Sequence, residues 1–161
     1  MTSMTSPARD TTRMRLIALA ALPAVALLIA PTTFGATTKS RTLKASGELK
    51  QTQKTGRLST VQAGTIRGTP LGTGKMVLRS TLKQATVTST FTVTTRAGRV
   101  SGRATARLTL DGDTAHYKGT ATITGGTSRY RRARASNIKF TGVGPVSAKS
   151  TRISLTGRVR Y

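Results

Sequence analysis

The densest chemistry in the chain lies in Arg129, Tyr130, Arg131, Arg132 and Arg134, with Lys139 close behind. Arginine forks around an aromatic ring can grip phosphate, sulfate or carboxylate and stack on a base or sugar. The same pattern suits a structural turn in which Tyr130 and Ala133 pack inward and the arginines are merely solvated. A second constellation, Arg99, Arg103 and Arg107, recurs at even spacing and would form a cationic ridge on one strand face. Such a ridge serves either as a track for a polyanion or as a charged guard against sheet aggregation. The single histidine, His116, stands beside Tyr117 and near Asp113. As a general base or metal ligand it would need a second His or a Cys, so an exposed and idle side chain is the simpler reading. Gly125-Gly126 has neither Walker nor dinucleotide spacing and no helix after it, which makes it a hairpin rather than a phosphate loop.

Composition narrows the chemistry further. With no Cys, a disulfide framework, a thiolate zinc site and a cysteine nucleophile are excluded. One His and four carboxylates leave little for acid/base or metal catalysis, and neither a metal nor a cofactor is expected. The balance of 27 Lys and Arg against 4 Asp and Glu gives a net charge of +23. A surface of this sign repels copies of itself and attracts polyanions: anionic lipid head groups, acidic envelope polymers, or nucleic acid. Nucleic acid is expected only as a non-specific partner, because no aromatic platform is interleaved with the bases.

The elements that must position these residues begin after residue 36. Residues 1–36 read as a secretory leader: a basic stretch through Arg15, an apolar run from Leu16 to Ala30 interrupted by Pro23, and the small-residue stretch Pro31 to Ala36. Cleavage is expected after Gly35 or Ala36, and the run is short for a membrane span, so secretion is preferred over an uncleaved membrane anchor. Losing Arg9, Arg13, Arg15 and Asp10 with the leader lowers the charge by only two. About 125 residues then remain, an ordinary size for one domain with its own core. Apolar residues make up 36% and aromatics 4%, so small residues, Thr and the stems of Lys and Arg must cover much of the structure.

Residues 37–56 are a polar N-terminal segment in which Leu43, Ala45, Gly47 and Leu49 alternate as one weak strand would. From residue 57 to 161 the period of two is strong. Ala85, Val87, Ser89, Phe91 and Val93 oppose a row of threonines, and Val100, Gly102, Ala104, Ala106, Leu108 and Leu110 oppose the arginine ridge. Ala115, Tyr117, Gly119, Ala121 and Ile123 alternate with polar residues, as do Ile153, Leu155, Gly157, Val159 and Tyr161. Thr69-Pro70-Leu71-Gly72, Arg96-Ala97-Gly98, Asp111-Gly112-Asp113 and Gly125-Gly126-Thr127-Ser128 supply turns between these runs. With strands near Leu58–Arg67, Gly72–Leu82 and Ile138–Val143 the count reaches seven, with the Leu43 segment as a candidate eighth. Helical periodicity is absent outside the leader, save for a single turn around Arg129–Arg134. The expected fold is all-β: a single antiparallel up-and-down barrel of about eight strands, calycin-like, whose closure removes exposed sheet edges. Its small inward residues Gly102, Ala104, Ala106, Gly119 and Ala121 either let the barrel pack tightly or leave a hollow lined by Met76, Leu78, Phe91, Tyr117 and Phe140.

The segment Tyr117–Ala135, with Gly125, Gly126, Thr127, Tyr130, Ala133 and Arg134, resembles the dirigent and allene oxide cyclase-like barrels, which carry a Gly-Gly-Thr-Gly, aromatic, Ala-Arg-Gly pattern after a strand. Ser128 and Ala135 stand where that family usually has Gly. The segment Gly68–Lys75 and the ending Val159–Tyr161 also look like small secreted bacterial barrels of this kind. The resemblance implies an eight-stranded antiparallel barrel, often trimeric, with an apolar central cavity used to steer radical coupling or to close a ring. Those activities lean on acids inside the cavity, and Glu48, Asp111 and Asp113 are the only carboxylates outside the leader. Catalysis is therefore not carried over with the fold.

Three functions remain, in order of preference. The first is non-enzymatic binding of a small apolar ligand by Met76, Leu78, Phe91, Tyr117 and Phe140 in a hollow of several hundred cubic ångströms. The second is an extracellular module that binds polyanions or the cell envelope through Arg99, Arg103, Arg107, Arg129, Arg131, Arg132 and Arg134. The third is a cyclase, which requires Asp111 or Glu48 to face the cavity.

Overall fold

The alternation of Thr, Val and small apolar residues folds into eight antiparallel strands that close on themselves in chain order. The computed structural model describes residues 39–147 and 149–160, so the leader reading and Tyr161 lie outside the described residues. The strands are β1 (Ser40–Lys54), β2 (Ser59–Thr69), β3 (Gly72–Lys83), β4 (Thr86–Thr95), β5 (Gly98–Asp111), β6 (Thr114–Gly126), β7 (Ala135–Pro145) and β8 (Ser150–Arg160). Each pairs with its neighbours in sequence, and β1 pairs with β8 from Ser40 opposite Arg160 to Lys50 opposite Ser150. The closed up-and-down barrel expected from the period of two is the fold observed.

The barrel begins at Ser40 rather than at residue 57. The segment Ser40–Lys54 is the longest strand and the one that closes the sheet, because Leu43, Ala45 and Leu49 are buried in the common core while Lys44, Ser46, Glu48 and Lys50 face outward. Gly47 lies so close to the Thr65 carbonyl that a β-carbon there would sit 2.2 Å from it, which is why this strand tolerates a residue without a side chain. A second departure concerns Ala85. Gln84 adopts φ 55° and turns the chain there without a glycine, so Ala85 is an exposed tip residue and the strand starts at Thr86.

The hairpins divide the barrel into two ends. One carries the β2–β3 and β4–β5 turns and the long β6–β7 connection. The other carries the β1–β2, β3–β4, β5–β6 and β7–β8 connections. In the β6–β7 connection a 3-10 turn, Ser128–Tyr130, folds inward and plugs the first end. Tyr130 and Ala133 are fully buried against the core, and the Tyr130 hydroxyl donates to the Leu71 carbonyl across the barrel at 3.4 Å. Backbone bonds from Thr127 N to the Arg99 carbonyl (2.9 Å) and from Arg129 N to the Ala97 carbonyl (3.2 Å) fasten the plug to the β4–β5 hairpin. Burying one tyrosine and one alanine orders the whole segment, so the apolar positions of the arginine-rich motif explain its conformation.

Candidate functional site

Inward residues fill the plugged half and leave the other half hollow. The ladder registers show how. Leu78 pairs with Gln62 and Phe91, and Phe91 pairs with Gly102. The Phe91 ring occupies the space over Gly102, where a β-carbon would lie 2.4 Å from its Cζ. One row nearer the far end, Ser80, Ser89, Ala104 and Ala121 stand side by side on four adjacent strands. Ser80 and Ser89 of this row line a cavity, whereas Ala104 and Ala121 belong to the packed core.

The cavity measures about 200 Å³ and opens at the unplugged end. Its apolar wall is Leu78, Leu82, Val87, Leu108, Tyr117, Phe140 and Ile153. Its polar wall is Thr60, Gln62, Ser80, Ser89 and Thr151, with Leu58 and Arg57 at the lip. Two pairs are already satisfied: Gln62 Nε2 donates to Thr151 Oγ1 at 3.1 Å, and the Ser80 and Ser89 hydroxyls share a bond of 2.8 Å. Tyr117 lies over Gly142, whose missing β-carbon would be 3.2 Å from Tyr117 Cδ2. Burial pushes the Tyr117 phenol above its ordinary pKa, because a phenolate would be poorly solvated there. The hydroxyl therefore stays protonated at neutral pH, and it makes no hydrogen bond with any described residue. It is a donor and acceptor available to a ligand.

Of the five residues read from sequence as lining the hollow, Leu78, Tyr117 and Phe140 do so. Met76 and Phe91 do not. Both are buried: Met76 lies one row deeper than Leu78, and Phe91, in the same row as Leu78, is packed over Gly102. The residues missed were the polar wall and Leu82, Val87, Leu108 and Ile153. Alternation reveals which face a side chain is on. How far along the barrel axis it sits depends on register between distant strands. The cavity is also smaller than several hundred cubic ångströms, since the plug, Phe91 and Met76 take half the interior.

All seven arginines read as anion ligands are exposed. Arg99, Arg103 and Arg107 form the expected ridge on the outer face of β5, in register with Thr94, Thr90 and Thr86 of β4. Arg129, Arg131 and Arg132 stand on the plug, whereas Arg134 turns away toward β8. His116 is exposed on the outer face of β6, paired in register with Thr109 and Val143. Among the described residues no three of His, Cys, Asp and Glu come together. Asp111 and Asp113 occupy the β5–β6 turn region and Glu48 the outer face of β1, all exposed, so no carboxylate of the described residues lines the cavity. The condition set for ring closure is not met by this wall.

Comparison with known proteins adds no relative: the chain matches no known protein family, no curated protein and no solved structure.

Proposed function

We propose that the protein is a secreted, dirigent-like carrier that binds a small, largely apolar molecule in the open half of the barrel without transforming it. The observation that carries this reading is the cavity itself: mostly apolar, with hydroxyl and amide groups interspersed among the apolar side chains, and lined at its lip by residues of the unplugged end. An apolar cavity of about 150 Å³ accommodates benzene. One of about 200 Å³ suits a single ring or a short branched chain, with any longer tail projecting past the lip. The free Tyr117 hydroxyl and the polar wall favour a ligand with one or two hydroxyl or carbonyl oxygens. Absence of acids from the cavity supports binding over ring closure.

Entry is through the lip. Leu58, Leu110 and Val146, the three most exposed large hydrophobics among the described residues, all stand at this end. Leu110 continues the inward row of Leu108 beyond the rim, and Val146 is tied there by its N–H to the Asp113 carbonyl at 2.7 Å. The deciding experiment is native mass spectrometry of the protein purified from its host's culture medium, paired with displacement of an apolar fluorescent probe. A retained small molecule that Ser89→Leu expels supports the carrier. Protein that is empty, and whose probe binding is unaffected by Ser89→Leu, overturns it.

A further inference from the structure

Like charges meet at the plugged end with no described carboxylate side chain in the groove they line. Arg134 and Arg160 form an isolated antiparallel bridge, exchanging both backbone bonds at 2.9 and 3.0 Å. Residues facing each other in this way hold their β-carbons about 5 Å apart, and like charges so placed repel. Arg158 projects from the same outer face of β8, two residues before Arg160 and so about 7 Å along the strand. These three arginines and the side chains of Ser40, Thr122 and Ser136 line one shallow groove on the outside of the barrel. The three described carboxylates, Glu48, Asp111 and Asp113, are all outside this groove. Arg134 is also held in place, because its Nη1 donates to the Ala133 carbonyl at 2.7 Å, and Ala133 is anchored in the plug.

We propose that Arg134, Arg158 and Arg160 form a binding notch for a phosphate group. Three arginines line one groove with Ser40, Thr122 and Ser136 beside them, one fork is pre-oriented, and no carboxylate side chain of the described residues lies in the groove. A tetrahedral oxyanion seated there accepts paired N–H bonds from planar forks and removes the mutual repulsion of the arginines. Among the described residues no aromatic side chain lines the groove, so the recognition proposed is of the phosphate itself. The notch lies at the opposite end from the cavity, and the proposal stands whether or not the cavity carries a ligand.

The test uses the mature chain, with inorganic phosphate and long-chain polyphosphate as probes in calorimetric titrations at low salt. Arg158→Gln with Arg160→Gln is compared with Arg103→Gln and Arg107→Gln, which removes the same charge from the β5 ridge. The notch pair is expected to weaken phosphate binding by about tenfold or more, the typical effect of losing a charged hydrogen bond, while the ridge pair costs about twofold. At low salt and without phosphate, the notch pair also raises the melting temperature by about 2 °C, since repulsion is relieved. A merely structural role for these arginines would lower it. Notch-dependent binding of both probes supports a polymer as the source of the phosphate, and of inorganic phosphate alone a free ion. Equal weakening by both pairs, a fall in melting temperature of the notch pair, or no binding of either probe overturns the proposal.

Discussion

The two ends of this barrel are made by the same eight strands and the same inward alternation, yet one is solid and the other hollow. At the plugged end Leu43, Ile66, Met76, Val93, Val100 and Val159 converge beneath Tyr130 and are almost wholly buried. At the open end Ser80 and Ser89, side by side on β3 and β4, offer the cavity only a hydroxymethyl each. Small side chains leave space at this end where bulky ones pack the other. The outer surfaces differ as well. The plug displays Arg129, Arg131 and Arg132 with no carboxylate nearby, whereas the open end sets Leu58, Leu110 and Val146 beside Asp111 and Asp113.

Removing the plug should erase the contrast most completely. Tyr130→Ala deletes a buried ring and its bond to Leu71, and a loss of about 3–5 kcal/mol in chemical denaturation is expected. Ala133→Asp, which places an unpaired charge at a fully buried position, should leave little folded protein by circular dichroism. Filling the hollow sharpens the comparison from the other side. Ser89→Leu should abolish binding of an apolar fluorescent probe while costing about 1–3 kcal/mol, because the new side chain enters existing space but breaks the bond to Ser80.

A smaller effect is expected at Tyr117. Tyr117→Phe removes a hydroxyl without a protein partner, so melting temperature should hold while ligand affinity falls about fivefold. The burial that raises its pKa also gives stability a direction with pH. The folded form holds the proton more tightly than the unfolded chain, so this contribution is intact below the ordinary tyrosine value near 10 and is lost as pH rises through the folded value. Alkaline unfolding that Tyr117→Phe leaves unchanged would show that this phenol is not responsible. Smallest of all, Arg131→Gln with Arg132→Gln should stay within about 0.5 kcal/mol of the parent, since both are exposed on a plug held by its apolar residues.

Much of the fold was legible because closure into a barrel imposes one rule on every strand: alternate residues go in. Val100 through Ala106 and Ala115 through Ile123 obey it, and a glycine-bearing turn, at Gly98 and at Gly112, precedes each. Two local signals failed. Gln84 takes a left-handed conformation without being glycine or asparagine, so the β3–β4 tip left no mark in composition. The first strand looked weak because five of its residues are charged and one inward position is glycine. The candidate sites were less legible for a different reason. Met76 and Leu78 are neighbours on one face, yet only Leu78 reaches the cavity, because depth is set by pairing with β2 and β4. Arg158 and Arg160 gave no sign of meeting Arg134, since that bridge joins residues far apart in the chain.

The seam between β1 and β8 gives the molecule a time at which it becomes itself. Seven of the eight ladders join strands adjacent in the chain, so their hairpins can zip up as each strand emerges. The eighth joins the first strand to the last, and it is long: Ser40–Lys50 against Ser150–Arg160, while β7 meets β8 only from Lys139–Val143 against Arg152–Thr156. The final strand is thus held more by the beginning of the domain than by its immediate predecessor. Until Arg160 has been delivered, β1 waits with a bare edge, and a nascent chain stays open, adhesive and without a finished hollow. Completion is a single late event, made by the last eleven residues of the described chain.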